Sequence, residues 1–305
     1  MELAGARIAV TGATGFLGRY IVNALLARKA HVIGVVRNPG RVPELAARGV
    51  ELRKADLLDP GQLVAGVGGV DAVVSNAGLF SLTHQGRREY QDANVIGTRN
   101  VFDAIADAGV TRVVQVSSVA IYKGRREVKI REDHPKYDAD SRRWFLTTYP
   151  ISKALSEEIA WERAAARELQ LTTIRPCGIY GAFDQNFTRV FKRFVGFPVG
   201  VMPVALRIPF VYAGDVAEAI ALALERPVAV GKAYNVTGED RTFWEFTRAW
   251  REVGGKVARI RLPVPLPTRR LFDNALIEQD LGWRNRPFHE GLRETHDLER
   301  ASAAA

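Results

Sequence analysis

Three glycines set three residues apart, directly after a short apolar run, constrain this chain more than any other feature. Residues 7–10 read as a strand, Gly12, Gly15 and Gly18 follow, and Leu17, Tyr20, Ile21, Ala24 and Leu25 recur at helical spacing. Strand, glycine triplet and helix in that order form a dinucleotide-phosphate cradle. Gly12 and Gly15 permit a tight turn and let the backbone approach a pyrophosphate, while Gly18 lets helix and strand pack closely. The helix N-terminus presents unpaired N–H groups and a positive dipole end to phosphate. Cofactor contacts are expected through Gly12, Thr14, Gly15, Phe16, Leu17 and Gly18.

With 305 residues, 47% hydrophobic and 25% charged, the chain can bury one large α/β domain with a smaller appendage. A single cysteine, Cys177, excludes an internal disulfide and fits a reducing compartment, so a cytoplasmic location is expected. The opening residues 1–7 lack a basic stretch followed by an apolar core, and no signal peptide is expected. The most apolar region, 194–212, is interrupted by Pro198, Pro203, Arg207 and Pro209 and reads as a substrate-covering loop, without stable membrane insertion. Net charge is +9, with arginine pairs at 87–88, 125–126, 142–143 and 269–270. These pairs are scattered and no nucleic-acid motif accompanies them, so they read as solvated faces. The five histidines lack ligand spacing, and no metal is expected.

Strand-like runs at 7–10, 31–36, 50–53, 72–75, 112–116 and 171–175 alternate with helix-length segments at 16–28, 97–108 and 152–169. This alternation predicts a Rossmann-type doubly wound parallel sheet, with a smaller C-terminal substrate lobe. Further strands are expected at 208–212 and 233–236, with helices from Val216 and around 243–253. The dinucleotide-binding domain is assigned to 1–178 and 207–236, and the lobe to 179–206 and 237–305. Ligands of such sheets sit beyond the C-terminal strand ends.

At the end of the second strand Arg37 stands where an acidic residue would bind the ribose hydroxyls of NAD; an arginine accommodates the 2′-phosphate of NADP. NADP is therefore preferred, with NAD as the alternative. Asp56 and Leu57 follow the third strand, where a carboxylate can accept from the adenine amino group or cap a helix. Asn76, Ala77 and Gly78 close the fourth, small enough for backbone to approach a cofactor. Tyr149 and Lys153 share a helix face at i and i+4. Lowering a phenol from about 10 to about 7 for proton transfer corresponds to about 4 kcal/mol, which a lysine and an oxidised nicotinamide could supply together. Ser117 and Ser118 end the fifth strand, where a hydroxyl can bond a substrate carbonyl oxygen.

These segments resemble the extended short-chain dehydrogenases/reductases, in particular their NAD(P)-dependent epimerase/dehydratase branch. TGATGFLG is similar to that family's TGxxGxxG, Ser117-Ser118 through Tyr122 to its SSxxxY, Tyr149 through Lys153 to its YxxxK, and Arg175 through Gly181 to its RPxxxYG. Asn94 through Thr98, Phe210 through Ala217 and Leu281-Gly282-Trp283 also resemble family segments, so the likeness spans nearly the whole chain. The resemblance implies a catalytic triad of Ser118, Tyr149 and Lys153, with Tyr149 and Lys153 also touching the cofactor. It implies that Asp56 and Leu57 lie on the adenine side and Pro176 through Ile179 near the nicotinamide. Ser118 is preferred to Ser117 because it lies four before Tyr122. Asn94 is either a water-organising fourth member or a structural helix residue. The chain departs from the pattern at Lys123, where glycine is usual, and in the charged insert 124–143. Asp215, three before Glu218, reads as a helix cap, and Cys177 as a small buried residue.

The expected function is NADPH-dependent reduction of a ketone or aldehyde, or the reverse alcohol oxidation, on a small-molecule substrate of hydrophobic character. The alternatives are an NAD-dependent nucleotide-sugar epimerase/dehydratase, with Arg207 on a diphosphate, and a non-catalytic NADPH-binding regulator. A homodimer packed through helices is a further implication of the resemblance.

Overall fold

Residues 32–36, 72–75 and 112–116 are buried at every position, as strands covered by helices on both faces must be. The computed structural model describes residues 1–80, 86–124, 129–141, 148–184, 199–203, 207–255, 257, 260–264 and 270–304. Its strands are β1 (Arg7–Thr11), β2 (His31–Val36), β3 (Glu51–Lys54), β4 (Ala72–Ser75), β5 (Arg112–Val116), β6 (Lys129–Ile130), β7 (Gln170–Pro176), β8 (Ile179–Tyr180), β9 (Val199–Pro203), β10 (Arg207–Tyr212), β11 (Ala233–Val236), β12 (Glu239–Thr242), β13 (Ile260–Val264) and β14 (Leu271–Phe272). Its α-helices are α1 (Phe16–Ala27), α2 (Pro43–Ala46), α3 (Pro60–Val67), α4 (Arg87–Tyr90), α5 (Gly97–Asp107), α6 (Thr148–Ala166), α7 (Ala213–Glu225), α8 (Phe243–Glu252), α9 (Ala275–Leu281) and α10 (Phe288–Ala304).

Seven strands form one parallel sheet in the order β11-β7-β5-β4-β1-β2-β3. Strand alternation divides its core: Ile8, Val10, Val74 and Val114 face the layer of α1 and α7, while Ala9, Val73 and Val113 face the layer of α3, α5 and α6. Order reverses between β1 and β4, which pair with Thr11 opposite Ser75. The C-terminal ends of β1, β2, β4, β5 and β7 all lie along one edge, and the crevice at the reversal opens there.

Within 207–236, α7 packs on α1 and β11 extends the large sheet, whereas β10 pairs with β8 and β12 in a separate three-stranded sheet. The apolar stretch read as a loop contains β9, paired in parallel with β13, as well as β10; 194–198 and 204–206 lie outside the described residues. The insert contributes β6, which pairs with β14. Among the described residues, no helix is long and apolar enough to cross a membrane.

Beneath the C-terminal edge lies a buried ion pair. Arg175 on β7 and Glu157 on α6 are 2% and 1% exposed. Arg175 donates through Nε to Glu157 Oε2 at 3.0 Å and through Nη2 to Oε1 at 2.6 Å. Its Nη1 donates to the Tyr122 hydroxyl at 2.7 Å and the Glu132 carbonyl at 2.9 Å, and Lys136 adds a donor to Glu157 at 2.9 Å. The Tyr122 hydroxyl in turn donates to Asn235 Oδ1 on β11 at 2.7 Å. Removing one partner of such a pair strands the other charge in a dry interior. Glu157→Ala is expected to lower stability by about 3–5 kcal/mol in urea denaturation, and the double variant Glu157→Leu/Arg175→Met to recover most of that loss.

Candidate active site

The glycine cradle is built by steric necessity. Gly12 has φ +68°, and a Cβ there would stand 3.0 Å from the Ala77 Cα. A Cβ on Gly18 would collide with the Gly12 carbonyl oxygen and the Ala13 backbone, so only glycine lets α1 lie this close to β1. Gly15 differs: it is exposed, its Cβ would meet only the Gly12 oxygen at 3.3 Å, and no side chain caps the helix behind it. The first turn of α1 carries no acidic residue. The amides of Phe16, Leu17 and Gly18 therefore open a helix end with uncompensated positive dipole beside unfilled space, which fits a dinucleotide diphosphate. Thr14 is half-buried on the same turn.

The loop after β4 is tied to the cradle. The Thr11 hydroxyl accepts from the amides of Asn76 at 3.1 Å and Ala77 at 3.0 Å, and Asn76 Nδ2 donates to the Gly12 carbonyl at 3.3 Å. Asn76 thus spends its side chain on the loop, leaving the exposed Gly78 backbone at the crevice. Arg37 is exposed at the end of β2, and no ion pair or hydrogen bond engages its guanidinium among the described residues. Asp56 accepts from the Leu58 amide at 2.9 Å through Oδ1, and the Leu57 carbonyl accepts from Asn100 at 2.9 Å. Helix capping falls instead to Asp59, which accepts from the Gln62 amide at 3.0 Å.

Across the crevice, α6 begins at Thr148, four residues earlier than the sequence pattern placed it, with Pro150 tolerated in a first turn that needs no amide. Tyr149 and Lys153 therefore sit one turn apart on one helix. The Ser118 side chain lies close enough to the Tyr149 hydroxyl to favour its ionised form. Ser118 Oγ accepts from the Ala120 amide at 3.1 Å and lies 3.5 Å from the Pro176 carbonyl, with Ile179 half-buried nearby in sequence. Ser117 is buried and faces Glu157, away from the crevice. The Lys153 ammonium donates to the Val116 carbonyl at 2.8 Å and lies 3.9 Å from where a Cβ on Gly78 would be. The structure thus brings Ser118, Tyr149, Lys153 and Gly78 together beside the cradle.

Residues 8–237 match the NAD dependent epimerase/dehydratase family. The chain belongs to that family. It is an NAD(P)-dependent enzyme of the extended short-chain dehydrogenase/reductase superfamily. It is 33% identical to cinnamoyl-CoA reductase 1 of Oryza sativa subsp. japonica over 307 aligned positions, covering 94% of this chain and 88% of the relative. It is 32% identical to sterol demethylase protein B of Methylococcus capsulatus, covering 84% and 76%. Among solved structures, a double mutant of a dTDP-glucose 4,6-dehydratase from Streptomyces venezuelae, with NAD bound, superposes with TM-score 0.81 at 25% identity, covering 98% of each chain.

In this family member burial shifts both Tyr149 and Lys153. It pushes the Tyr149 phenol up to about 12, opposed by the nearby Ser118 hydroxyl. It pushes the Lys153 ammonium down to about 8, opposed by Glu157 one turn further along α6. Two neighbours of this site carried no recognisable motif. Phe80 and Tyr90 place their rings against Tyr149, and no spacing rule singles them out from other aromatics. Glu157 did have a signal, since residues 149, 153 and 157 repeat every fourth position. Asn94 is buried and fully engaged: Oδ1 accepts from the Leu79 amide, and Nδ2 donates to the Leu79 carbonyl and Ser152 Oγ. Its side chain is structural.

Asp215 is not a cap. Helix α7 starts at Ala213, which puts Asp215 inside the first turn, where Arg286 holds its carboxylate at 2.6 Å and Trp283 donates to its carbonyl at 2.8 Å. Cys177 is half-buried, its thiol raised to about 11 by burial.

Lys153 offers a test in the free protein. With its folded pKa below the unfolded value, the unfolded chain binds more protons between about pH 8 and 10.5. Wild-type stability relative to Lys153→Met should therefore rise with pH through that window, by about 3 kcal/mol in total, and stay level below it; denaturation curves at several pH values measure this.

Proposed function

We propose that this chain is an NADPH-dependent reductase of a ketone or aldehyde, also able to run the reverse alcohol oxidation, with Ser118, Tyr149 and Lys153 as its catalytic residues. The observation that carries this reading is the Tyr149 hydroxyl, placed beside the Ser118 side chain and one helical turn from the buried ammonium of Lys153. NADPH, when bound in the cradle, supplies the hydride for the carbonyl carbon. Ser118 donates a hydrogen bond to the carbonyl oxygen and fixes its position. Tyr149, protonated at neutral pH because burial raises its pKa to about 12, gives its hydroxyl proton to that oxygen. Lys153, with its pKa near 8, is still mainly protonated at neutral pH and stabilises the phenolate left behind. In the oxidative direction the same groups reverse roles.

Arg37 supports NADPH over NADH, since its exposed guanidinium stands at the β2 end with no competing carboxylate bonded to it. Arg207, the residue available to a nucleotide-sugar diphosphate, is already paired with Asp240 at 3.2 Å, which favours the reductase reading. The relatives named for cinnamoyl-CoA and sterol chemistry support a hydrophobic substrate.

Tyr149→Phe should cut kcat by about 100-fold or more while NADPH affinity, read by fluorescence titration, stays within about two-fold. Arg37→Ala should weaken NADPH binding about 10- to 100-fold and leave NADH binding unchanged. Turnover surviving in Tyr149→Phe would sink the mechanism, and NAD retained tightly through purification would sink the NADPH assignment.

A further inference from the structure

Phe80 is a large apolar side chain left 40% exposed at the rim of the crevice. Its ring meets the Tyr149 ring edge-on, with centroids 4.9 Å apart and planes at 63°. Tyr90 packs on the same phenol at 5.9 Å but is buried, so of these two rings Phe80 is the one that presents surface to solvent.

Its placement is held from below. The Leu79 amide donates to Asn94 Oδ1 at 2.6 Å, and the Leu79 carbonyl accepts from Asn94 Nδ2 at 3.1 Å. The same Nδ2 donates to Ser152 Oγ at 3.0 Å, and Ser152 donates to the Tyr149 carbonyl at 2.8 Å. Phe80 and Tyr149 are thus anchored to the two ends of one hydrogen-bond chain, Leu79–Asn94–Ser152–Tyr149. Asn94 itself belongs to a π-helical turn, Gln91–Ile96, a distortion found often at functional sites.

A carbonyl oxygen within hydrogen-bond reach of Ser118 and Tyr149 brings its substituents against the walls around the phenol. The wall supplied by Phe80 is apolar, flat and partly open to solvent. We propose that Phe80 is a specificity-determining residue, selecting substrates whose reacting carbonyl is attached to a planar apolar group, an aromatic or conjugated ring. A planar group covers the exposed ring and adds an offset or edge-to-face contact; a puckered saturated ring offers area alone. This rests on the reductase reading, from which it takes the reacting carbonyl.

The test compares matched aryl and cyclohexyl aldehydes and methyl ketones with NADPH, for wild type, Phe80→Ala and Phe80→Leu. The ratio of kcat/KM for aryl over cyclohexyl substrates should fall about 3- to 10-fold in Phe80→Ala and by a smaller factor in Phe80→Leu. NADPH affinity should be unchanged in both, which separates this role from damage to the cradle. Wild-type protein that reduces both classes, with the ratio fixed on substitution or both substrates losing the same factor, overturns this inference alone. Wild-type protein that reduces neither class overturns the reductase reading and this inference together.

Discussion

Arg175 and Glu157 are opposite charges taken out of water between β7 and α6, and much of the surrounding structure serves to keep them satisfied. Desolvating two ions costs several kcal/mol each, and only saturated, well-aligned bonding offsets it. The fork of Arg175 meets Glu157 with two bonds, and its remaining donors reach Tyr122 and the Glu132 carbonyl. Satisfying this pair draws β7, α6, the segment after β5, the charged insert and β11 to one point. Helix α6 cannot slide along the sheet without breaking it. Tyr149 and Lys153 are fixed two turns and one turn above Glu157 as a consequence.

Above that pair, the electrostatics are unfinished in the free protein. Lys153 is a buried ammonium with one carbonyl partner, and Tyr149 a phenol held protonated by its surroundings. Each group is displaced in the direction burial dictates, toward neutrality. The open Gly15 face, the exposed Gly78 and the free end of α1 border the same crevice. In the proposed reading, cofactor and substrate bind between the Tyr149 and Lys153 side chains and the open end of α1.

The fold was legible because its signals are local. β2, β4, β5 and β11 coincide with the strand-like runs of the sequence, and Asp59 caps α3 as its position before Pro60 suggests. Gly18 is dictated by a contact six residues away in the chain, so its spacing alone is informative. Helix α6 begins four residues before the segment read as helix, with Pro150 in a first turn that has no use for its missing amide. Asp215 was misread for a related reason: the capping pattern was present, but α7 begins before it and Arg286 claims the carboxylate from far along the chain.

By itself the sequence determined the parallel sheet, the glycine cradle and the pairing of Tyr149 with Lys153, because each depends on spacings within one turn or one strand. Spacing to Tyr122 had already singled out Ser118, and tertiary structure added that Ser117 is buried near Glu157. It also decided that Asn94 ties Leu79 to Ser152, that Glu157 meets Arg175, and that Phe80 rather than another aromatic stands beside the phenol. Those contacts join residues 15 to 69 positions apart. Their distances are set by how the sheet stacks its helices, a property that no local pattern encodes.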